Sequence, residues 1–181
     1  ISVFERGVLE YDFSKFTFLE TPQKDLLSST TGIYTGSNGD IWFSTLGDGL
    51  IKYSEKKFEL FLEDNGLGEN NLLCVTSDSY GNIWSGTVTS GVSVLLKENA
   101  LLYNARQGLP GDICKQVLKV NERQWFLVTS GGVCLFNGEH VEPFVYDGRL
   151  SGSSCADFNG KKSILAIGFS KGIVQLVDFA K

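Results

Sequence analysis

Apolar and polar positions alternate along this chain in short runs, and the runs come in fours. From Leu72 the sequence reads LLCVTS, then NIWSGT from Asn82, GVSVLL from Gly91 and ALLYNA from Ala100. These runs have the two-residue alternation and the β-branched and aromatic content of strands, with Gly, Asn and Asp between them as turn residues. No segment has the length and 3.6-residue period of a helix. The pattern predicts four short antiparallel strands in roughly forty residues.

The unit recurs. Trp42, Trp84 and Trp125, the three tryptophans of the chain, lie 42 and 41 residues apart. A glycine followed by an apolar residue falls at Gly7, Gly49, Gly91, Gly132 and Gly172, at intervals of 42, 42, 41 and 40. Gly66, Gly108 and Gly148 repeat the rhythm at 42 and 40. In the last unit the tryptophan place falls on Leu165. The markers drift together by single residues, as one-residue changes in loops would make them do. Four strands repeated at this interval predict an all-β fold, a β-propeller of four-stranded antiparallel blades with a 40–42 residue repeat.

Within each blade, NGD and YGN read as tight turns between the first and second strands, with Gly39 and Gly81 supplying positive φ. The indoles of Trp42, Trp84 and Trp125 are expected to fill the space between neighbouring blades rather than to stack on a ligand. With Gly49, Gly91 and Gly132 they are structural markers of the repeat.

Phase along the repeat divides the chain. Residues 1–20 match the end of one blade; 26–64, 72–105 and 113–147 match full blades; 153–181 match an incomplete blade. Both ends supply a third strand, so a closed four-bladed ring would carry surplus strands. The expectation is part of a larger ring, whose neighbouring blades would cover the exposed blade faces.

Composition narrows the function. Hydrophobic residues at 42% and charged residues at 20% are those of an ordinary globular domain. A net charge of −5 argues against nucleic acid, which needs a basic footprint. No apolar run approaches the roughly 18 residues of a membrane span. The chain opens on ISVFERG with no methionine or signal peptide, which looks like a trimmed or truncated start. Cys74, Cys114, Cys134 and Cys155 form no CxxC pair, and His140 is the single histidine. Zinc sites and histidine chemistry are therefore not expected, no metal or cofactor is predicted, and the cysteines read as buried small hydrophobes. Cys74, Cys114 and Cys155 all fall near the start of an inner strand. Their phases differ, which argues against a ring of thiols holding a soft metal.

The segment NGLGENNLLCVTSDSYGNIWSGTVTSGVSVL, Asn65 to Leu95, resembles the two-component-regulator propeller repeat. That repeat reads Asp-Gly-Leu-Pro-x-Asn, an inner strand, Asp-Gly-Asn-Leu-Trp-x-Gly-Thr, then Gly-Gly-Leu and a strand. QGLPGDICKQV, Gln107 to Val117, keeps the Gly-Leu-Pro. The resemblance is strongest over residues 36–136 and fades in the last unit, where DGRLSGSSC lacks the proline. Two units also resemble the Asp-box of sialidase-like propellers, but Ser37 and Ser79 stand where that motif has Asp. The resemblance implies rings of seven-bladed type, often two in series, in extracytoplasmic sensor regions of hybrid histidine kinases. It implies a periplasmic or extracellular location and oligosaccharide sensing relayed to a kinase outside this chain.

The loops between second and third strands, and those leading into each blade, should share one loop-rich face, the usual binding surface of the architecture. Candidate ligand-binding residues there are Asn70, Asp112, Asp48, Thr89 and Ser130. Asn70 and Asp112 equally suit Asx turns that satisfy their own loop backbone. The leading reading is a non-enzymatic sensory module binding oligosaccharide. The alternatives are a protein-interaction scaffold, with a homodimer as one form, and a propeller lyase or glycosidase built on loop carboxylates such as Asp48, Asp64, Asp112 and Asp147.

Overall fold

The computed structural model describes residues 1–3, 5–96, 100–143, 153–169 and 173–178. They form five antiparallel sheets in chain order. The first blade holds β1 (Ser2–Val3), β2 (Gly7–Tyr11) and β3 (Phe16–Phe18). The second holds β4 (Thr30–Thr35), β5 (Ile41–Thr45), β6 (Leu50–Ser54) and β7 (Lys57–Phe61). The third holds β8 (Leu72–Ser77), β9 (Ile83–Thr87), β10 (Val92–Leu95) and β11 (Ala100–Tyr103). The fourth holds β12 (Cys114–Asn121), β13 (Gln124–Thr129), β14 (Gly132–Phe136) and β15 (Val141–Pro143), and the fifth β16 (Ser153–Asn159), β17 (Ile164–Phe169) and β18 (Val174–Asp178). Among the described residues the helical content is two single 3-10 turns, Glu63–Asn65 and Ala105–Gln107. The sheets confirm the all-β propeller with four-stranded blades. Gly148, Asp147 and the Gly172 marker lie outside the described residues.

The core lies between blades. One cluster joins Val8 to Phe43 and Ile51; the next joins Trp42 and Leu50 to Leu72 and Ile83. A third joins Trp84 and Val92 to Trp125 and Phe136, and a fourth joins Phe126 and Leu135 to Leu165 and Ile167. The second strands β5, β9 and β13 therefore bury alternate residues against alternate neighbours, which their two-residue period allows.

The frame that carries this core repeats at 42 residues without drift. In β4–β5, β8–β9 and β12–β13 the pairing opens at Thr30 with Thr45, Leu72 with Thr87, and Cys114 with Thr129. The three threonine hydroxyls are fully buried and donate to the carbonyls of Gly49, Gly91 and Gly132, at 2.8, 3.0 and 2.8 Å. Each latch closes the hairpin between second and third strands. A β-bulge follows the opening pair in every inner strand, leaving one residue unpaired and increasing the local twist. At the bulge of the second blade, the Thr31 hydroxyl reaches the Leu72 carbonyl of the next blade at 2.7 Å.

One expectation needs correction. The 41-residue interval to Trp125 is not a loop change. Trp42 pairs with Tyr34 and Trp84 with Thr76, whereas the residue in that place in the fourth blade is Phe126, opposite Leu118. Trp125 stands where Ile41 and Ile83 stand in the earlier blades. Because neighbours along a strand face opposite sides, Trp42 and Trp84 point toward the following blade and Trp125 points back at the preceding one. The indoles do fill the space between blades. The turns at Gly39 and Gly81 have the expected positive φ, 85° and 83°.

Candidate binding surfaces

The loop-rich face is held by a repeating set of backbone bonds. Leu46, Val88 and Ser130, each just past a second strand, donate their N–H to the carbonyls of Ser29, Asn71 and Ile113 in their own blade. The turn glycines reach onward: Gly49 N–H donates to the Asn70 carbonyl and Gly91 N–H to the Asp112 carbonyl, each in the loop leading into the next blade. Every latch-bearing hairpin of the second and third blades is thus tied to its successor.

Asn70 and Asp112 sit at these junctions, half-buried, with their side chains committed to the loop. Asn70 Oδ1 accepts from Glu63 N–H at 2.9 Å while Glu63 Oε1 accepts from Asn70 N–H at 3.0 Å. Asp112 Oδ1 accepts from Ala105 N–H at 2.7 Å. Both side chains clamp the 3-10 turn that ends the preceding blade, and so satisfy backbone across seven residues rather than in a short Asx turn. Thr89 is exposed, and its N–H and hydroxyl both donate to Glu69 Oε2, at 2.8 and 2.9 Å. The buried Glu69 escaped the sequence reading because the repeat places Gly111, not a carboxylate, 42 residues on. Asp48 and Ser130 are half-buried, and their side chains make no hydrogen bond among the described residues. His140 lies on the β14–β15 hairpin, away from this face and exposed.

The cysteines divide. Cys114 and Cys134 are buried in the cluster between the third and fourth blades, Cys74 is half-buried against it, and Cys155 is exposed. Exposure of Cys155 departs from the expected burial, because its part of the inner strand of the fifth blade is left open. The thiols of Cys74 and Cys114 hydrogen-bond each other, which lowers Cys74 and raises Cys114 from the ordinary thiol value. Burial pushes Cys134 up to about 12. Among the described residues no group of three or more His, Cys, Asp or Glu side chains is placed to hold a metal. No described helix is long and apolar enough to cross a membrane.

A cavity lies away from the loop-rich face, between the second and third blades. This groove of about 450 Å³ is lined by Trp42, Lys52, Glu59, Phe61, Ile83 and Leu95, among others. It continues into a recess of about 260 Å³ beside Asn38 and Asp40. Lys52 Nζ stands 2.9 Å from Asp40 Oδ2 and 5.6 Å from the centroid of the Trp42 ring. Asn38 Nδ2 donates to the same Asp40 oxygen at 2.7 Å. The Ser54 hydroxyl first, then Lys52 and Asn38, hold the Asp40 carboxyl below its ordinary value.

No protein family and no curated protein matches the sequence. Solved structures do. The chain is similar to the extracellular domain of a hybrid two-component system of B. thetaiotaomicron, with TM-score 0.75 and 22% identity over 95% of this chain and 26% of that one. It is similar to the extracellular domain of a one-component system of the same organism, with TM-score 0.80 and 15% identity over 97% of this chain and 25% of that one. It also resembles YCF48 bound to a D1 peptide, with TM-score 0.65 and 12% identity over 89% of this chain and 54% of that one. The chain spans about a quarter of the length of the first two. At these identities the likeness establishes the propeller fold.

Proposed function

We propose that this chain is the ligand-recognition propeller of an extracytoplasmic signal-transduction receptor, on the periplasmic or extracellular side of a membrane. The ligand class is oligosaccharide, and the output is a kinase or comparable domain outside this chain. One observation carries the reading: a likeness in fold along nearly the whole chain to extracellular domains of signalling systems. In this reading the propeller continues into a larger ring of seven-bladed type. The apolar face of the first blade, with Tyr11, Phe16 and Phe18 exposed, then packs on a neighbouring blade. On the loop-rich face the unengaged side chains of Asp48 and Ser130 are the open polar groups, whereas Asn70, Asp112 and Thr89 act as scaffold. The chain works without catalysis and without a cofactor.

A protein-interaction scaffold, a homodimer included, is the second reading. The exposed aromatic residues of the first blade favour it, as does the likeness to a propeller that holds a peptide. Calorimetric titration of the full chain with short oligosaccharides separates the two. Saturable sugar binding supports the sensor. A protein partner or dimer that buries the first blade, with no sugar bound, supports the scaffold.

A further inference from the structure

The groove between the second and third blades is open because of two neighbouring pairs of side chains, and the next interface shows what closes it. On the third blade the row Trp84, Val94, Leu101 runs across β9, β10 and β11. The fourth blade covers it with Trp125 and Phe136, paired on β13 and β14. The two indoles stack with centroids 4.9 Å apart, Phe136 meets Trp84 edge-on, and the space left there is about 160 Å³.

On the second blade the same row reads Trp42, Lys52, Glu59. Facing it, in the places of Trp125 and Phe136, are Ile83 and Leu95. The covering side chains are smaller, and the covered row has become charged at the same positions. A packing defect alone would leave the row apolar. Here the charges appear where the opening is, and Lys52 is held in place by Asp40 and the Trp42 ring.

We propose that this groove is a binding site for one end of a neutral sugar chain, a refinement that rests on the recognition reading above. Its volume falls in the range of about 300–1,000 Å³ typical of small-molecule sites. Lys52 and Asp40 pair with each other, and Glu59 leaves the lining with one net negative charge, so the site disfavours an anionic ligand and admits a neutral one. Lys52 and Asp40 also present a donor and an acceptor side by side, as two neighbouring ring hydroxyls require. Trp42 and Phe61, with Ile83 and Leu95, give the apolar wall on which the C–H face of a pyranose ring packs. Glu59 and Asn65 at the mouth add polar contacts for the next ring.

The test is calorimetric titration of the full chain with short neutral gluco-, manno- and galacto-oligosaccharides. It is repeated on Ile83→Trp, which closes the groove in the manner of Trp125, on Lys52→Gln, which removes the positive charge and shortens the donor's reach without adding bulk, and on Thr89→Ala at the loop face. Binding by the unaltered chain is expected to weaken about tenfold or more in Ile83→Trp and Lys52→Gln, and to be unchanged in Thr89→Ala. If Ile83→Trp fails to fold, Lys52→Gln decides alone. Binding that survives both groove variants overturns the groove assignment and leaves sugar recognition standing. No binding of any probe by the unaltered chain overturns both.

Discussion

Trp84 and Trp125 stack across the boundary between the third and fourth blades, with 18° between ring planes. They differ in polar support. Trp84 Nε1 donates to Asp78 Oδ2 at 3.1 Å, while Trp125 Nε1 is buried with no hydrogen-bond partner among the described residues. Trp125→Ala is expected to cost about 3–5 kcal/mol in urea unfolding, as large aromatic truncations do. Trp125→Phe keeps the ring contact and removes an unpaired donor, so its cost should stay near 1 kcal/mol. Equal costs for the two variants would show that the stack contributes little.

Gly81 and Gly91 share a backbone conformation, φ 83° and 86°, in different surroundings. A Cβ on Gly81 meets nothing within 4 Å, whereas one on Gly91 overlaps the Tyr103 carbonyl. Gly81→Ala should lose about 1–2 kcal/mol from the left-handed backbone alone. Gly91→Ala should lose clearly more, because it also pushes β11 away. Thermal unfolding of the pair isolates close approach from backbone preference.

Thr87 closes its hairpin twice, donating to the Gly91 carbonyl and accepting from Ser90 N–H at 2.8 Å. Thr87→Val keeps the shape and deletes both bonds, and should cost about 1–3 kcal/mol because it strands polar groups in a buried turn. Faster amide exchange confined to residues 87–91 would place the effect in the latch.

Acid should loosen the protein in a definite direction. Asp12 is held below its ordinary value by the Ser14 hydroxyl and the N–H groups of Ser14 and Lys15, and Asp40 by Ser54, Lys52 and Asn38. The folded state therefore releases these protons more readily than the unfolded chain. The stability they contribute is present at neutral pH and is lost as pH falls below about 4, through the folded values. Asp40→Asn should flatten the dependence of melting temperature on pH in that range, and an unchanged slope would remove Asp40 from the account.

The four thiols should react in order. Exposed Cys155 should take up iodoacetamide in the native protein at about pH 8, while Cys134, buried and pushed up to about 12, stays unlabelled until denaturant is added. Peptide mass mapping after timed labelling reads this directly, and early labelling of Cys134 would contradict its burial.

Blade architecture was legible from spacing, because four strands and their turns must recur for a propeller to stack. The side of the sheet that each aromatic occupies was not. Trp42, Trp84 and Trp125 look equivalent in a list of intervals, yet the exchange of Ile-Trp for Trp-Phe at residues 125–126 turns one indole through the sheet. The buried threonines were visible at an unvarying 42 residues, but their partners are backbone carbonyls, which no side-chain pattern announces. The 42-residue spacing of Asn70 and Asp112 was legible, but their side-chain hydrogen bonds to the preceding 3-10 turn run to backbone groups seven residues away, which no side-chain pattern announces.

Side chains at a few facing positions therefore set the individuality of otherwise interchangeable blades. Exchanging Ile-Trp for Trp-Phe in the second strand, with Phe136 where Leu95 stood, leaves the strand register untouched, yet it seals one crevice while its neighbour stays open. A chain assembled by duplication can acquire a distinct opening at a single address without insertion, deletion or a new loop. Gene copies that drift only by local substitutions of this kind would keep one silhouette while differing in what they admit.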